Sequence, residues 1–111
     1  TEKELSSWLK ESPLKDHLPR AIVAARQTHG IGQYGRVWNA PIGGVWLSAA
    51  FNLPDGGKSA GLLGLAIAVA MTRRLKACFI PVQIKWPNDL LIKNMKVCGI
   101  LQELIKLFSP Y

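Results

Sequence analysis

One stretch of the sequence has residue types and spacing suited to binding an anion. Residues 27–38 read Gln-Thr-His-Gly-Ile-Gly-Gln-Tyr-Gly-Arg-Val-Trp, so three glycines precede an arginine and a tryptophan. Glycine lets the main chain adopt positive φ and approach a ligand closely. The planar guanidinium of Arg36 suits bidentate contact with a carboxylate or phosphate, beside main-chain N–H groups that face the same anion. We therefore expect this segment to wrap an anion or a flat small molecule.

The glycine spacing G-x-G-x-x-G also permits two other interpretations. A dinucleotide-binding loop requires a strand before the glycines and a long helix directly after them. The following residues, Val-Trp-Asn-Ala-Pro at positions 37–41, do not predict such a helix. The other alternative is an ordinary glycine-rich hairpin loop, and the arginine beside the glycines argues against it.

A second dense group of polar residues lies at residues 85–89, which read Lys-Trp-Pro-Asn-Asp. Proline favours a turn, from which a lysine, an amide and a carboxylate project within a few residues. Lys96 follows, and then Gly99, where the main chain can be approached closely. Taken alone, this segment is equally compatible with a hairpin that carries ordinary surface charge.

Composition indicates one globular domain with a preference for anionic partners. The chain has 111 residues, about half of them apolar, and a net charge of +7. The basic residues are scattered, and no helix-turn-helix, zinc-finger or aromatic RNA-binding pattern accompanies them. A phosphate-bearing small ligand explains the charge as well as nucleic acid does, and we expect no nucleic-acid partner.

The cysteines and the apolar segments predict the compartment. Cys78 and Cys98 lack the spacing of a zinc site or a disulfide framework, so we expect buried thiols in a reducing compartment. The first residues lack the pattern of a signal peptide, and the apolar run at residues 60–71 is shorter than the roughly 20 residues that span a bilayer. We expect a soluble, cytoplasmic protein without a membrane partner.

Hydrophobic periodicity predicts the elements that position these segments. Apolar residues at Leu5, Trp8 and Leu9 have helical spacing, which predicts a helix over residues 3–9. Ser59 is expected to cap a second helix, running to about residue 77, that is apolar nearly all round and therefore central. Strands are predicted over residues 21–25, 45–53, 82–86, 90–92 and 97–105. The class is α+β, with a mixed or antiparallel sheet flanked by helices.

Together these segments resemble the biotin protein ligase family. That family carries a loop of the form Q-x-x-G-[RK]-G-x-x-G-R-x-W, then K-W-P-N-D, then K-x-x-G-[IV]-L. The loop is matched here at positions 27, 30, 32, 35, 36 and 38, the second motif is complete at 85–89, and the third is matched at 96 and 99–101. Three ordered motifs are far more specific than any one of them, and the resemblance covers about the whole chain.

The resemblance implies a catalytic domain related to class II aminoacyl-tRNA synthetases. Members of the family join biotin to ATP, with Mg²⁺, to give biotinyl-5′-adenylate and pyrophosphate. They then pass the biotinyl group to a lysine of a biotin carboxyl carrier protein, such as that of acetyl-CoA carboxylase. A homodimer is compatible with this expectation.

The resemblance also implies roles for particular residues. Arg36 and Lys96 would offset the repulsion between the biotin carboxylate and the ATP α-phosphate, and Asp89 would orient or deprotonate the carrier lysine. Asn88, with Lys85, would contact phosphate or Mg²⁺-bound water, or hold the turn. The implied catalytic residues are Arg36, Lys96, Asp89 and Lys85. The residues implied to bind biotin or the adenylate are Thr1, Gln27, Gly30, Ile31, Gly32, Gln33, Gly35, Trp38, Asn88 and Gly99.

The sequence departs from the family pattern in several places. Ile31 stands where the family has arginine or lysine, and Gln33 is neutral where some members have arginine. Of the family's Ser-Thr-Asn motif, Thr1 alone is matched. We expect residues 1–111 to be a partial catalytic domain, truncated at both ends, without an N-terminal DNA-binding domain or a C-terminal β-barrel. The alternatives are an inactive biotin-binding remnant and a lipoate ligase or octanoyltransferase relative.

Overall fold

The computed structural model describes residues 1–14, 18–53, 57–58 and 60–104. The described residues fall into two compact units, one within Thr1–Asn52 and the other within Leu53–Leu104. The first unit contains helix α1 (Glu2–Glu11) and strands β1 (Arg20–Ala24) and β2 (Trp46–Ala50). The second contains helix α2 (Ala60–Ala77) and strands β3 (Gln83–Lys85), β4 (Asp89–Ile92) and β5 (Met95–Gly99).

In the first unit, helix α1 packs on a two-stranded antiparallel sheet. Strands β1 and β2 pair in a register that places Ile22 opposite Ser48. Leu5 and Leu9, one helical turn apart, are the buried residues of α1. The predicted first helix is therefore confirmed, and it ends before Pro13 with the N–H of Ser12 donating to the carbonyl of Trp8.

Strand β1 is not a buried strand, although the apolar run Ala-Ile-Val-Ala-Ala at residues 21–25 favours one. Its residues alternate between half-buried and exposed positions, and Val23 is 68% exposed. Successive side chains of a strand point to opposite faces, so a helix on one face covers only every second residue. Strand β2 shows the same alternation and is shorter than the predicted strand over residues 45–53.

In the second unit, helix α2 packs on a three-stranded antiparallel sheet of order β3-β4-β5. The buried residues of α2 are Gly64, Ala68 and Thr72, which recur every four residues and form one narrow face. The prediction that this apolar helix is central is wrong, because Leu62 is 64% exposed and the buried residues form one narrow face. The predicted cap Ser59 lies outside the described residues.

The α+β class is confirmed, but the strands form two antiparallel sheets where the sequence predicts one. Strand β5 begins at Met95 and ends at Gly99, whereas the sequence predicts a strand over residues 97–105. Residue 105 lies outside the described part of the chain.

Within the described ranges, no helix combines the length and the apolar character needed to cross a bilayer.

Candidate functional site

Residues 27–40 form a hairpin, with Gly30 and Gly32 on its first arm and Gly35 at its tip. The N–H of Gln27 donates to the carbonyl of Ala40 at 2.9 Å, and the N–H of Trp38 donates to the carbonyl of Gly30 at 2.8 Å. Nearer the tip, the N–H of Gly32 donates to the carbonyl of Arg36 at 2.7 Å. No helix follows the glycines, so this loop lacks the geometry of a dinucleotide-binding turn.

Two of the glycines are required by the shape of this hairpin. A Cβ atom on Gly30 would lie 2.7 Å from the carbonyl oxygen of Trp38, closer than real Cβ contacts come. Gly35 has φ of 71°, in the left-handed region that glycine adopts without penalty. Tyr34 also has positive φ, and its ring is 93% exposed at the tip. The hairpin therefore brings its two arms unusually close together near the base.

The side chains predicted to contact an anion project from the outer part of this hairpin. Arg36 is exposed directly after the short helical turn at Gln33–Gly35. Ile31 lies opposite Val37 on the other arm and is also exposed. The structure thus places Ile31, Gln33 and Arg36 on one small loop, with isoleucine where the family pattern has a cation.

At the base of the hairpin, three half-buried polar side chains form a connected cluster. The side-chain oxygen Oε1 of Gln27 accepts from the main-chain nitrogen of Thr1 at 2.6 Å and from the Thr1 hydroxyl at 2.8 Å. The Thr1 hydroxyl also lies 2.5 Å from the hydroxyl of Ser48. Thr1 and Gln27 were both predicted from the sequence, and the structure brings them into direct contact.

Ser48 was missed by the sequence reasoning, although a signal for it exists. It is a polar residue in an otherwise apolar strand, in the same phase as Trp46 and Ala50. In a strand that alternates between faces, that phase is the half-buried one. A hydroxyl at such a position needs a hydrogen-bond partner, and Thr1 provides it.

The second group of predicted residues lies on the sheet of the second unit. Asp89 begins β4, directly after a turn that contains a cis Trp86-Pro87 peptide. The ammonium Nζ of Lys96 lies 3.0 Å from Oδ1 of Asp89. Gly99 is the cross-strand partner of Asp89, so no side chain stands opposite this carboxylate on β5.

An irregularity in the β4–β5 pairing places Lys96 beside Asp89. Leu90 pairs with Cys98, but Leu91 pairs with Lys96, so the pairing skips one residue of β5. A regular register would have placed Lys96 opposite Ile92, on the other face of the sheet from Asp89. The extra residue returns Lys96 to the face that Asp89 and Leu91 share.

Asn88 and Lys85 have different surroundings. The amide Nδ2 of Asn88 donates to the carbonyl of Ile100, and the N–H of Ile100 donates back to the carbonyl of Asn88, both at 2.9 Å. These bonds tie the turn to the residue after β5, and a contact of Asn88 with phosphate or Mg²⁺-bound water stays a prediction. Lys85 is the cross-strand partner of Asp89, yet among the described residues Lys96 alone forms an ion pair with that carboxylate.

Cys98 lies close to this ion pair. Partial burial raises the pKa of its thiol, the nearby Asp89 carboxylate raises it further, and the Lys96 ammonium opposes the shift. Cys98 is half-buried and Cys78 is exposed, so the expectation of two buried thiols is wrong for Cys78. In the described part of the chain neither cysteine is in a disulfide, and no three His, Cys, Asp or Glu side chains group into a metal site.

Comparison with known proteins identifies the family of this chain. The profile of the biotin/lipoate A/B protein ligase family matches residues 3–109. The bifunctional ligase/repressor BirA of Bacillus spizizenii is 39% identical over 85 residues, which cover 75% of this chain and 26% of that protein. The protein of the same name from Escherichia coli is 38% identical over 86 residues, which cover 76% of this chain and 27% of that protein.

A third relative is the biotin–[acetyl-CoA-carboxylase] ligase of Paracoccus denitrificans. It is 34% identical over 85 residues, which cover 74% of this chain and 35% of that protein. The chain thus spans about a quarter to a third of the length of these curated relatives. The family profile covers nearly the whole chain, and we conclude that the chain belongs to the biotin/lipoate A/B protein ligase family.

Proposed function

We propose that this chain is part of the catalytic domain of a biotin protein ligase. The reaction has two steps. A biotin carboxylate oxygen attacks the α-phosphorus of ATP, the α–β phosphoanhydride bond breaks, and pyrophosphate leaves. The neutral amine of a carrier-protein lysine then attacks the acyl carbon, an amide forms, AMP leaves and the amine loses a proton.

The observation that carries this proposal is the contact between Lys96 and Asp89. These two residues have the charges that the reaction needs, since a cation is required beside the carboxyl being activated and an anion beside the incoming amine. They lie within 3.0 Å of each other, next to a glycine that leaves the opposite strand without a side chain. Lys96 serves the first step and Asp89 the second.

In the first unit, the cluster at the hairpin base suits the polar ring of biotin. A cyclic urea presents two N–H donors and one carbonyl acceptor. With Oε1 of Gln27 already accepting from Thr1, the Gln27 amide NH₂ remains to donate to a carbonyl. One lone pair on the Thr1 hydroxyl oxygen remains to accept from a ring N–H group.

Arg36 and the tip of the hairpin serve the phosphate end of the adenylate. The guanidinium is exposed, and a planar fork of donors matches phosphate oxygens. Gly32 and Gly35 keep side chains away from the main chain there, and the Trp38 ring lies beside Gly32. Mg²⁺ would enter with ATP as part of the substrate.

The names of the relatives support biotin as the acid. Two of the three relatives above are named as bifunctional ligase/repressors, and the third is named as a biotin–[acetyl-CoA-carboxylase] ligase. We therefore propose the lysine of a biotin carboxyl carrier protein as the acceptor, a fold akin to class II aminoacyl-tRNA synthetases, and a cytoplasmic location. A lipoate or octanoyl substrate is the alternative that the family description also includes.

Two measurements test the proposal. Isothermal titration with biotin tests the pocket, and ATP-dependent pyrophosphate release in the presence of biotin tests activation. Octanoate and lipoate serve as control acids in both assays. Biotin binding together with pyrophosphate release supports the ligase. If the protein prefers octanoate or lipoate, that acid and not biotin is the substrate.

A non-catalytic biotin-binding remnant is the second candidate, and Ile31 favours it. This residue occupies the loop position where the family pattern has a cation, so one charge beside the carboxyl and phosphate is absent. If that charge limits activation, Ile31→Arg should raise the rate of pyrophosphate release, while Ile31→Leu should not change it. Biotin binding without turnover in both variants would favour the remnant.

A further inference from the structure

The hydrogen bonds around Thr1 determine the direction of both hydroxyl protons in the cluster at the hairpin base. The main-chain nitrogen of Thr1 can only donate, so the group of Gln27 that faces it must be the oxygen Oε1 and not the amide NH₂. An amide oxygen has no proton to give. The hydroxyl of Thr1, 2.8 Å from the same oxygen, is therefore the donor in that contact.

This assignment determines the role of Ser48. The Thr1 hydroxyl carries one proton, and that proton is directed to Gln27. The 2.5 Å contact between the hydroxyls of Thr1 and Ser48 must then use the proton of Ser48. Ser48 donates to Thr1, Thr1 donates to Gln27, and the Gln27 amide NH₂ is left facing away, 3.5 Å from where a Cβ of Gly30 would be.

We infer that Ser48 is a positioning residue for recognition of a cyclic urea, acting through Thr1 and Gln27. Strand β2 holds Ser48 in a fixed register with Ile22, so its hydroxyl is anchored by the sheet. That hydroxyl holds the Thr1 side chain in one rotamer and one proton direction. The Gln27 amide is thereby oriented with its NH₂ donors toward the hairpin before ligand arrives, which reduces the ordering cost of binding. This inference rests on the proposed function, since it concerns the same ligand.

The experiment is isothermal titration of biotin into the unsubstituted protein and into Ser48→Ala. Loss of one orienting hydrogen bond should raise Kd about fivefold to tenfold, since such bonds contribute on the order of 1 kcal/mol and tenfold in Kd is 1.4 kcal/mol. Ser48→Thr keeps the hydroxyl and should bind nearly as the unsubstituted protein does. Ser48→Val has the shape of threonine without the hydroxyl and should lose affinity as alanine does.

A double-mutant cycle separates positioning from direct contact. Thr1→Val removes the hydroxyl through which Ser48 acts, so Ser48→Ala should cause no further loss of affinity in that background. If the double variant raised Kd by the product of the two single-variant factors, the inference would be overturned. An unchanged Kd in Ser48→Ala would also overturn it. Ser7→Ala, on the exposed side of α1, is the matched control and should leave Kd unchanged.

A comparison of biotin with desthiobiotin tests which part of the ligand the cluster recognises. Desthiobiotin keeps the urea but lacks the ring sulfur, so Ser48→Ala should weaken it by the same factor as biotin. A loss confined to biotin would contradict the assignment of this cluster to the urea. If the unsubstituted protein binds neither ligand, the proposed function fails; if it binds and Ser48→Ala binds equally well, the inference alone fails.

Discussion

The ammonium of Lys96 lies 3.0 Å from the carboxylate of Asp89, although a regular strand register would place the two side chains on opposite faces of the sheet. The ion pair is only partly exposed, with Lys96 42% and Asp89 21% accessible. Lys96 therefore already holds a carboxylate of its own chain. In the proposed reaction the biotin carboxylate would take that place, which would free Asp89 for the carrier amine.

Removal of the Lys96 side chain should abolish adenylation and leave the fold intact. An exposed or partly exposed ion pair contributes about 1 kcal/mol or less to stability, so the melting transition of Lys96→Ala should stay close to that of the unsubstituted protein. Pyrophosphate release measures the loss of activity. Lys93→Ala, in the turn of the same hairpin, is the control and should retain activity. Normal adenylation by Lys96→Ala would remove Lys96 from the mechanism.

Substitution of Gly30 should open the base of the hairpin. A methyl group there would meet the carbonyl oxygen of Trp38 at 2.7 Å, and forcing such contacts costs typically 1–3 kcal/mol. Gly30→Ala should therefore bind biotin much more weakly, as titration would show. Gly61→Ala is the control, since nothing lies within 4 Å of its added Cβ and alanine is the better helix former. Equal biotin affinity in both variants would contradict this account of the hairpin.

The reactivity of Cys98 should report on the ion pair beside it. A raised pKa lowers the thiolate fraction at a given pH, and the thiolate is the nucleophile. Near pH 8, iodoacetamide should modify Cys98 more slowly than exposed Cys78, as peptide mass spectrometry would measure. Asp89→Asn removes a cause of the raised pKa and should accelerate the modification of Cys98. Lys96→Ala removes the opposing charge and should slow it, with Cys78 unchanged in both variants.

The core of the second unit should depend on Leu90. This side chain is 0% exposed on the face of β4 that helix α2 covers. Truncation of a fully buried leucine leaves a cavity and costs about 2–5 kcal/mol. Urea denaturation of Leu90→Ala should show that loss, while Leu62→Ala, on the exposed side of α2, should cost less than about 1 kcal/mol. A small change in Leu90→Ala would show that this face is not the core.

Hydrophobic periodicity and turn residues predicted most helices and strands, because these elements depend on residues that are close in sequence. Leu5 and Leu9 predicted the buried face of α1, and the proline-containing turn before Asp89 predicted the start of β4. The burial of α2 was overestimated because apolar composition does not tell how many faces of a helix meet a partner. Only packing decides that, and here Gly64, Ala68 and Thr72 form the buried face.

Motifs in the sequence predicted most residues of the candidate site. They did not predict contacts between residues that are distant in sequence. Lys96 and Asp89 were both predicted as catalytic residues. Their contact depends on a bulge between β4 and β5, which hydrophobic periodicity does not predict. Ser48 was not predicted because a single serine in a strand belongs to no motif. Its partner Thr1 lies 47 positions away in sequence. The roles of Arg36, Gln33 and Ile31 remain predictions from the family resemblance.

Helix α1 connects the cluster at the hairpin base to a contact at its opposite end. The guanidinium of Arg20 stacks 4.4 Å from the centre of the Trp8 ring and donates to the carbonyl of Ser12. Arg20, the first residue of β1, therefore contacts the C-terminal end of α1. Thr1 stands at the other end of this ten-residue helix, about 15 Å away. A rigid helix transmits a tilt along its whole length, so substitution of Arg20 should shift Thr1 and, in the proposed function, change ligand affinity without any contact between Arg20 and the ligand.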